Sequence, residues 1–335
     1  MISTVETPPS ERVLVTGATG FVGSAVAKLL VEQGRSVRCL VRDVARTERL
    51  SWMKAAADVS VGDTGDPASL CRAMEGCPVV LNCAGLNSFW EPDRRAFDRI
   101  NVEGTRNVMH AALQTGVRKI VQVSTVMAYG FPSRMPFDAA SEPGPHMSDY
   151  ARSKHDGDEA ARELQRKRAL PLVTVYLAAV VGRGDRKSVM QIRSFVQGRI
   201  PVMIRSPNLF TYVHIGDAAA AIIRAGDAEG NVGERYLVGT ERLTTEQYFG
   251  IISELSGVPM PRVFIGRVPA MTLARLMTWW AGIARKPPLM PLDLMRTVFH
   301  GPLLFDGNAA AASLGLVYTP IRAALADAAS DAQAL

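Results

Sequence analysis

The sequence predicts an α/β fold, a doubly wound parallel sheet with a smaller C-terminal domain. Three observations carry this. The stretch Arg12–Thr16 is a short apolar, β-branched run, the mark of a strand buried on both faces, and it leads through Gly17, Gly20 and Gly23 into a helical segment at 21–33. Apolar runs of strand length then alternate with helical segments as far as Leu177. Finally, 335 residues are enough for one large α/β domain and a smaller appended one. The expected division assigns 11–180, plus about 209–240, to the sheet domain and 181–208 with about 241–325 to a substrate domain, leaving 1–10 and 329–335 as flexible tails.

The glycine turn is the most informative element. Strand, glycine turn and helix in that order form a phosphate site, the first turn of a Rossmann-type dinucleotide-binding unit. Gly17 permits the tight turn, Gly20 lets backbone approach a pyrophosphate, and Gly23 lets the helix pack closely. Thr19, Phe21 and Val22 complete the turn, and the helix start offers free N–H groups and a positive dipole end.

Ser36–Val41 reads as the second strand, and its end decides the cofactor. NAD-binding folds usually place an acidic residue there for the ribose 2′-hydroxyl. Here Val41 and Arg42 occupy the place, with Arg46 and Arg49 beyond. A guanidinium suits a 2′-phosphate, so NADP(H) is favoured over NAD(H), with Asp43 available to cap the next helix.

The third strand, 58–61, ends at Gly62, Asp63 and Thr64, where ligands of open sheets gather; Asp63 is a candidate for the adenine amino group. A short helix follows at 67–75. The fourth strand, 79–82, runs into Cys83, Ala84 and Gly85, small residues where backbone passes the cofactor. The loop holding Asn87, Phe89 and Trp90 reads equally as a substrate wall or as an apolar cluster under a loop. A long helix is predicted over 94–115, and Asn101 within it is a poor helix-interior residue that suggests a functional position.

The fifth strand, from Lys119, ends in Ser124 and Thr125, and a Pro-rich loop then leads to Tyr150-Ala-Arg-Ser-Lys154 at the head of a helix over 149–168. Tyr150 and Lys154 stand at i and i+4 on one helical face. An ammonium near a phenol is expected to lower its pKa, and a hydroxyl from the strand end completes a proton-transfer site.

These motifs together, from Thr16-Gly-Ala-Thr-Gly-Phe-Val-Gly23 through Gly62-Asp63, Asn101-Val-Glu-Gly-Thr105 and Val123-Ser-Thr125 to Tyr150-Ala-Arg-Ser-Lys154, resemble the extended short-chain dehydrogenase/reductase family. The resemblance runs from Arg12 to about Ala328. It implies Tyr150 as acid/base, Lys154 as its partner and a holder of the nicotinamide ribose, and Thr125 as the catalytic hydroxyl, with Ser124 its possible substitute. It also implies a homodimer through the helices at 94–115 and 149–168. The Val41-Arg42-Asp43 ending is similar to the NADP-dependent dihydroflavonol-reductase and aldehyde-reductase branch, with 3β-hydroxysteroid dehydrogenases nearby. Many members carry Arg-Pro where this chain has Ala178-Ala179, a departure that touches loop shape; Ala178 and Val180 remain candidates for the cofactor.

In the second half, a sixth strand at 172–177 and a helix at 188–197 precede Tyr212–Asp217, similar to the family's return to the main domain, with His214 structural. Met190 and Tyr212, with Met127, are candidate substrate contacts, and the apolar Met190, Phe195, Met203 and Phe210 favour a less polar substrate. Arg183, Arg186, Lys187, Arg193 and Arg205 are available to a pyrophosphate, which keeps a sugar-nucleotide epimerase or dehydratase open. The segment 268–284 is the most hydrophobic of the chain, too short to span a bilayer and interrupted by Arg275. It reads first as a core helix or pocket lid, with a membrane-surface helix as the other reading. An Ala-rich helix at 323–334 closes the chain.

Composition excludes other classes. The net charge of +6 is spread without a basic stripe or interleaved aromatics, against nucleic-acid binding. Cys39, Cys71, Cys77 and Cys83 lack zinc-type spacing and read as thiols of a reducing compartment, and no signal-peptide layout opens the chain; a cytoplasmic location and no metal are expected. The expected activity is NADP(H)-dependent reduction of a ketone or aldehyde on an apolar or aromatic small molecule. A catalytically silent dinucleotide sensor is the non-enzymatic alternative, disfavoured because Tyr150, Lys154 and Thr125 are all present.

Overall fold

The computed structural model describes residues 11–45, 51–200 and 202–334. The expected N-terminal tail and Arg46 and Arg49 lie outside the described residues, as do the side chains of Arg186 and Lys187.

The first half alternates strands and helices: β1 (Val13–Thr16), α1 (Phe21–Glu32), β2 (Val37–Val41), α2 (Ser51–Ala56), β3 (Asp58–Val61), α3 (Pro67–Met74), β4 (Val79–Asn82), α4 (Arg95–Phe97), α5 (Gly104–Thr115), β5 (Lys119–Thr125), α6 (Asp149–Arg168) and β6 (Leu172–Leu177). The second half contains β7 (Ala179–Val181), α7 (Arg186–Val196), β8 (Val202–Ile204), β9 (Phe210–His214), α8 (Ile215–Asp227), β10 (Arg235–Val238), β11 (Glu241–Leu243), α9 (Thr245–Ser256) and β12 (Val263–Ile265). It ends with α10 (Arg267–Ala284), α11 (Leu292–His300), α12 (Asn308–Leu314) and α13 (Ile321–Ala334), the last helical through the expected tail as far as Ala334.

Seven strands form one parallel sheet in the order β10-β6-β5-β4-β1-β2-β3, the doubly wound arrangement the strand–helix alternation predicts. Its strands bury both faces because successive residues point to opposite sides. Val13 and Val15 pack with Val26, Leu30, Ala218 and Ile222 of α1 and α8. Leu14 between them packs on the other side with Leu70, Met74, Val108 and Met109 of α3 and α5. The order in which strands are added reverses between β1 and β4, which stay parallel, so Thr16 and Asn82 end side by side at the crevice where open sheets bind ligands.

Outside this sheet, β7, β9 and β11 make a three-stranded sheet and β8 pairs with β12. Ile192, Phe195, Tyr248, Phe249 and Leu325 build a separate core from α7, α9 and α13. The α10–α11 pair has a core of its own, where Ala270 and Ala274 meet Met295 and Phe299. Among the described residues no helix is long and apolar enough to cross a membrane.

One predicted helix is modified. The segment 94–115 contains a π-helical turn, Asp98–Glu103, between α4 and α5. Such turns carry an extra residue and recur at functional sites. The carbonyl of Asn101 lies against Gly157 of α6, where an added Cβ would stand 2.2 Å from that oxygen. The two helices thus touch backbone to backbone. Gly157→Ala is therefore expected to destabilise the fold by about 1–3 kcal/mol, the usual cost of overpacking, seen as a lowered thermal midpoint with secondary structure unchanged.

Candidate active site

The glycine turn is a cradle that side chains would fill. Gly17 has φ +64°, and a Cβ there would sit 2.7 Å from the Cys83 carbonyl and 2.8 Å from Ala84. A Cβ on Gly23 would stand 2.2 Å from the Gly17 carbonyl. Gly20 makes no side-chain cap and the first turn of α1 holds no acidic residue, so the positive helix end is left for an anion. The neighbouring strand ends are tied together: the Ala84 amide donates to Thr16 Oγ1 at 3.3 Å, the Thr16 hydroxyl bonds Asn82, and Asn82 Nδ2 donates to Gln122 Oε1 at 2.6 Å. These features fit a dinucleotide pyrophosphate, which would be held by backbone at Gly17–Gly23, with Thr19, Phe21, Val22, Cys83 and Ala84 beside it. Burial pushes the Cys83 thiol up to about 12, which keeps it protonated and unreactive beside the cradle.

At the far side of the crevice, β5 delivers Thr125 and α6 delivers Tyr150. The helix starts cleanly because Ser148 caps it, accepting from the Ala151 amide at 3.1 Å. Tyr150 is 8% exposed, with the Thr125 hydroxyl beside its phenol. One turn on, Lys154 Nζ donates to the Val123 carbonyl at 3.0 Å and lies 3.8 Å from where a Gly85 Cβ would be. Gly85 thus opens the space over the ammonium. Burial lowers the Lys154 pKa, with the nearby Asp158 carboxylate opposing.

The expectation that Lys154 depresses the Tyr150 phenol is not met in this geometry. Burial raises the Tyr150 pKa to about 12, the neighbouring Thr125 hydroxyl opposes this less strongly, and Asp158 adds to the rise. The ammonium is turned to the Val123 carbonyl instead.

Asn101 is buried and fully engaged. Its Oδ1 accepts from the Leu86 amide at 2.8 Å, and its Nδ2 donates to the Leu86 carbonyl at 3.1 Å and to Ser153 Oγ at 2.9 Å. The π turn thus clamps the Gly85–Leu86 loop to α6. Ser124 and Thr125 part company: Ser124 donates to Asp158 Oδ2, a bond that leaves Asp158 Oδ1 buried without a partner.

Of the remaining candidates, Arg42 is 59% exposed at its side chain, with Nε 3.9 Å from the Asp63 carboxylate. Asp63 accepts from Gly65, Asp43 accepts from Ala45, and the Thr64 side chain stands against Gly104 at the start of α5. The buried Ala178 donates its amide to Val238, and Val180 pairs with Val213. The Phe89 ring meets Tyr150 edge-on, centroids 6.1 Å apart, while Asn87 is exposed and Trp90 half-buried in the same loop. Met127 lines a small apolar cavity with Phe131, Met147, Ala151, Thr297 and Leu303. Elsewhere, Met190 is 68% exposed on α7, and Tyr212 stacks on Tyr248 at 5.4 Å within the α7–α9–α13 core. His214 caps α8, accepting from the Gly216 amide. Arg205 lies over the Phe264 ring and pairs with Glu246. The four cysteines are free.

Asp158 was not singled out from the sequence, although Tyr150, Lys154 and Asp158 repeat every four residues and so share one helical face. The cavity residues had no local signal, because Thr297 and Leu303 reach Met127 only through the fold.

Comparison with known proteins places this geometry. Residues 13–239 match the model of the NAD dependent epimerase/dehydratase family. The chain is 34% identical to "Sterol demethylase protein B" of Methylococcus capsulatus, covering 94% of this chain and 96% of that protein. It is 28% identical to a "Putative dihydroflavonol 4-reductase" of Synechocystis sp., over 94% of this chain and 92% of the relative. The solved structure described as gox2253 superposes with a TM-score of 0.80 at 31% identity, covering 96% of this chain and 97% of that one. The chain belongs to the NAD dependent epimerase/dehydratase family, the extended short-chain dehydrogenase/reductases. It is an NAD(P)-dependent oxidoreductase.

For an NAD(P)-dependent oxidoreductase the buried carboxylate of Asp158 has a direct consequence, because it raises the pKa of Tyr150 across one face of α6. Asp158→Asn keeps the shape and an acceptor for Ser124 but removes the charge. The alkaline rise of alcohol oxidation, which needs the phenol deprotonated, is then expected at lower pH. An unchanged pH profile of kcat/KM would show that Tyr150 does not feel this carboxylate.

Proposed function

We propose that the protein is an NADP(H)-dependent reductase of a ketone or aldehyde on an apolar small molecule, also able to run the reverse alcohol oxidation. The observation that carries this is the Thr125 hydroxyl beside the Tyr150 phenol at the end of β5, with the Phe89 ring edge-on to Tyr150 and Lys154 one helical turn away. When bound, the nicotinamide supplies or accepts the hydride; the protein's side chains do the rest. Thr125 and Tyr150 converge on one carbonyl oxygen. A phenol with a pKa of about 12 is protonated at neutral pH, so Tyr150 is poised to give its proton to that oxygen as charge develops. Lys154 holds the nicotinamide ribose, a role implied by its place in the family's motif.

The substrate class follows from the walls. Phe89 meets the Tyr150 ring; Met127, Phe131, Met147 and Leu303 line a small apolar cavity with Ala151, the residue after Tyr150, and a relative covering nearly the whole chain carries "sterol" in its name. A steroid or similar lipid ketone, in the manner of a 3β-hydroxysteroid dehydrogenase, is the narrower form of the same reading. Arg205, engaged with Phe264 and Glu246, is not held ready for a sugar-nucleotide pyrophosphate. Arg42, exposed and only loosely paired, favours a 2′-phosphate. A cytoplasmic enzyme with free cysteines, dimeric through α5 and α6, completes the proposal.

Titration with NADPH and NADH, followed by a panel of aromatic aldehydes, ketones and steroids, tests it; tight NADH preference or cofactor that never exchanges would favour an epimerase. Tyr150→Phe is expected to lower turnover by about two orders of magnitude or more with NADPH affinity intact. Activity near that of the parent would remove Tyr150 from the proton-transfer role. Arg42→Ala should weaken NADPH and spare NADH in a direct binding titration, whereas equal losses would leave no 2′-phosphate contact at Arg42.

A further inference from the structure

Helix α10 is apolar on two sides, and the fold covers only one. Ala270, Ala274 and Ala281 are buried, the first two against α11. On the outward side Val268 is 76%, Leu276 61%, Trp279 67%, Trp280 61% and Ile283 59% exposed, and Leu289 just beyond is 90% exposed. Within the helix, Val268, Leu276, Trp279, Trp280 and Ile283 stand at i, i+8, i+11, i+12 and i+15, which puts them on one side, opposite the alanines. Soluble monomers rarely leave so continuous an apolar face in water.

Charge tells what covers it. From Leu255 to Leu292 the chain contains no Asp or Glu, while Arg262, Arg267, Arg275, Arg285 and Lys286 fall within that stretch and all five are exposed. Arg275 lies on the helix beside the apolar stripe, and Arg285 and Lys286 follow its end. The acidic group that faces α10 from the packed helix is Asp293 of α11. It is mostly buried, paired with Arg296 and accepting from the Asp149 amide at 3.1 Å, so its charge is turned away. A second copy of the chain seated on this face about a twofold axis would bring these cations onto their own images. A hydrocarbon stripe that carries two tryptophans, in a stretch whose charged residues are all cations, instead matches the interface of a negatively charged bilayer.

We propose that the outward face of α10, extended by Arg285, Lys286 and Leu289, docks the protein onto the surface of an anionic lipid membrane. The helix lies in the interface plane, with Trp279, Trp280, Leu276 and Ile283 immersed and the cations at the headgroups. The position has a functional sense if the substrate is a lipid, the reading proposed above. Helix α11, on the inner side of α10, meets the start of the catalytic helix through Asp293 and contributes Thr297 to the cavity beside Met127. Docking would therefore put the start of the helix that carries Tyr150 one helix away from the bilayer. The docking itself does not depend on that substrate.

The test uses the full chain and vesicles of phosphatidylcholine with or without phosphatidylglycerol, read by co-sedimentation and by tryptophan emission. Binding to the anionic vesicles, a blue shift and weakening with added salt are expected, with little binding to pure phosphatidylcholine. Leu276→Ser with Trp280→Ser should reduce binding at least tenfold while NADPH binding and thermal midpoint stay unchanged; Arg275→Glu and Lys286→Glu should each cost about fivefold or more on anionic vesicles. Failure of the parent to bind anionic vesicles, or binding indifferent to both sets of substitutions, would overturn the proposal. So would a dimeric parent that the Leu276→Ser, Trp280→Ser variant converts to monomer, since the face would then belong to a second copy. Because vesicle binding is read without turnover, its loss leaves the assignment of the reductase site standing, and loss of that assignment leaves the binding result standing.

Discussion

The site depends on how closely α6 can be brought to the rest of the first domain. A single helical face carries Tyr150, Lys154 and Asp158, and each needs a different partner: the Thr125 hydroxyl, the Val123 carbonyl and the Ser124 hydroxyl. All three partners come from the last turn of one strand, β5. Gly157 then lets the backbone of α6 touch the π turn at Asn101, and Asn101 in turn clamps the loop that carries Gly85.

That arrangement confines buried charge. Lys154 and Asp158 lie in the same low-dielectric layer, and each favours the charged form of the other while burial opposes both. A lone ammonium or carboxylate there would be costly; together they are tolerable. The phenol of Tyr150 pays no such cost while neutral, and Asp158 helps to keep it so. The resting site therefore holds a protonated acid beside a confined cation, which suits donation of a proton to a carbonyl oxygen.

Much of this could be read from residue order. The glycine turn, the parallel strand runs and the Tyr150–Lys154 pair are local patterns, each set by spacings of a few residues, and they led directly to the doubly wound sheet and the family. The long helix at 94–115 was placed correctly in outline, and the poor helix propensity of Asn101 marked the spot where the π turn interrupts it. Asp158 was equally visible as the third member of a column. Its importance was not, because a carboxylate four residues along a helix is ordinarily a solvated surface group and only burial gives it influence. For the same reason the lowered phenol pKa expected from the Tyr–Lys spacing did not follow: spacing predicts proximity, while the direction of the ammonium and the depth of burial set the sign.

The sequence by itself determined the fold class, the glycine turn and the shared helical face of Tyr150 and Lys154, because these rest on backbone conformation and on i, i+4 geometry within single elements. Tertiary structure alone decided which hydroxyl of Ser124 and Thr125 meets Tyr150, and which distant residues close the apolar cavity beside Met127. It also decided which side of α10 is left in water. Hydrophobicity along a chain states how much apolar surface must find cover, but only packing between elements far apart in sequence determines where that cover is found and where it is missing.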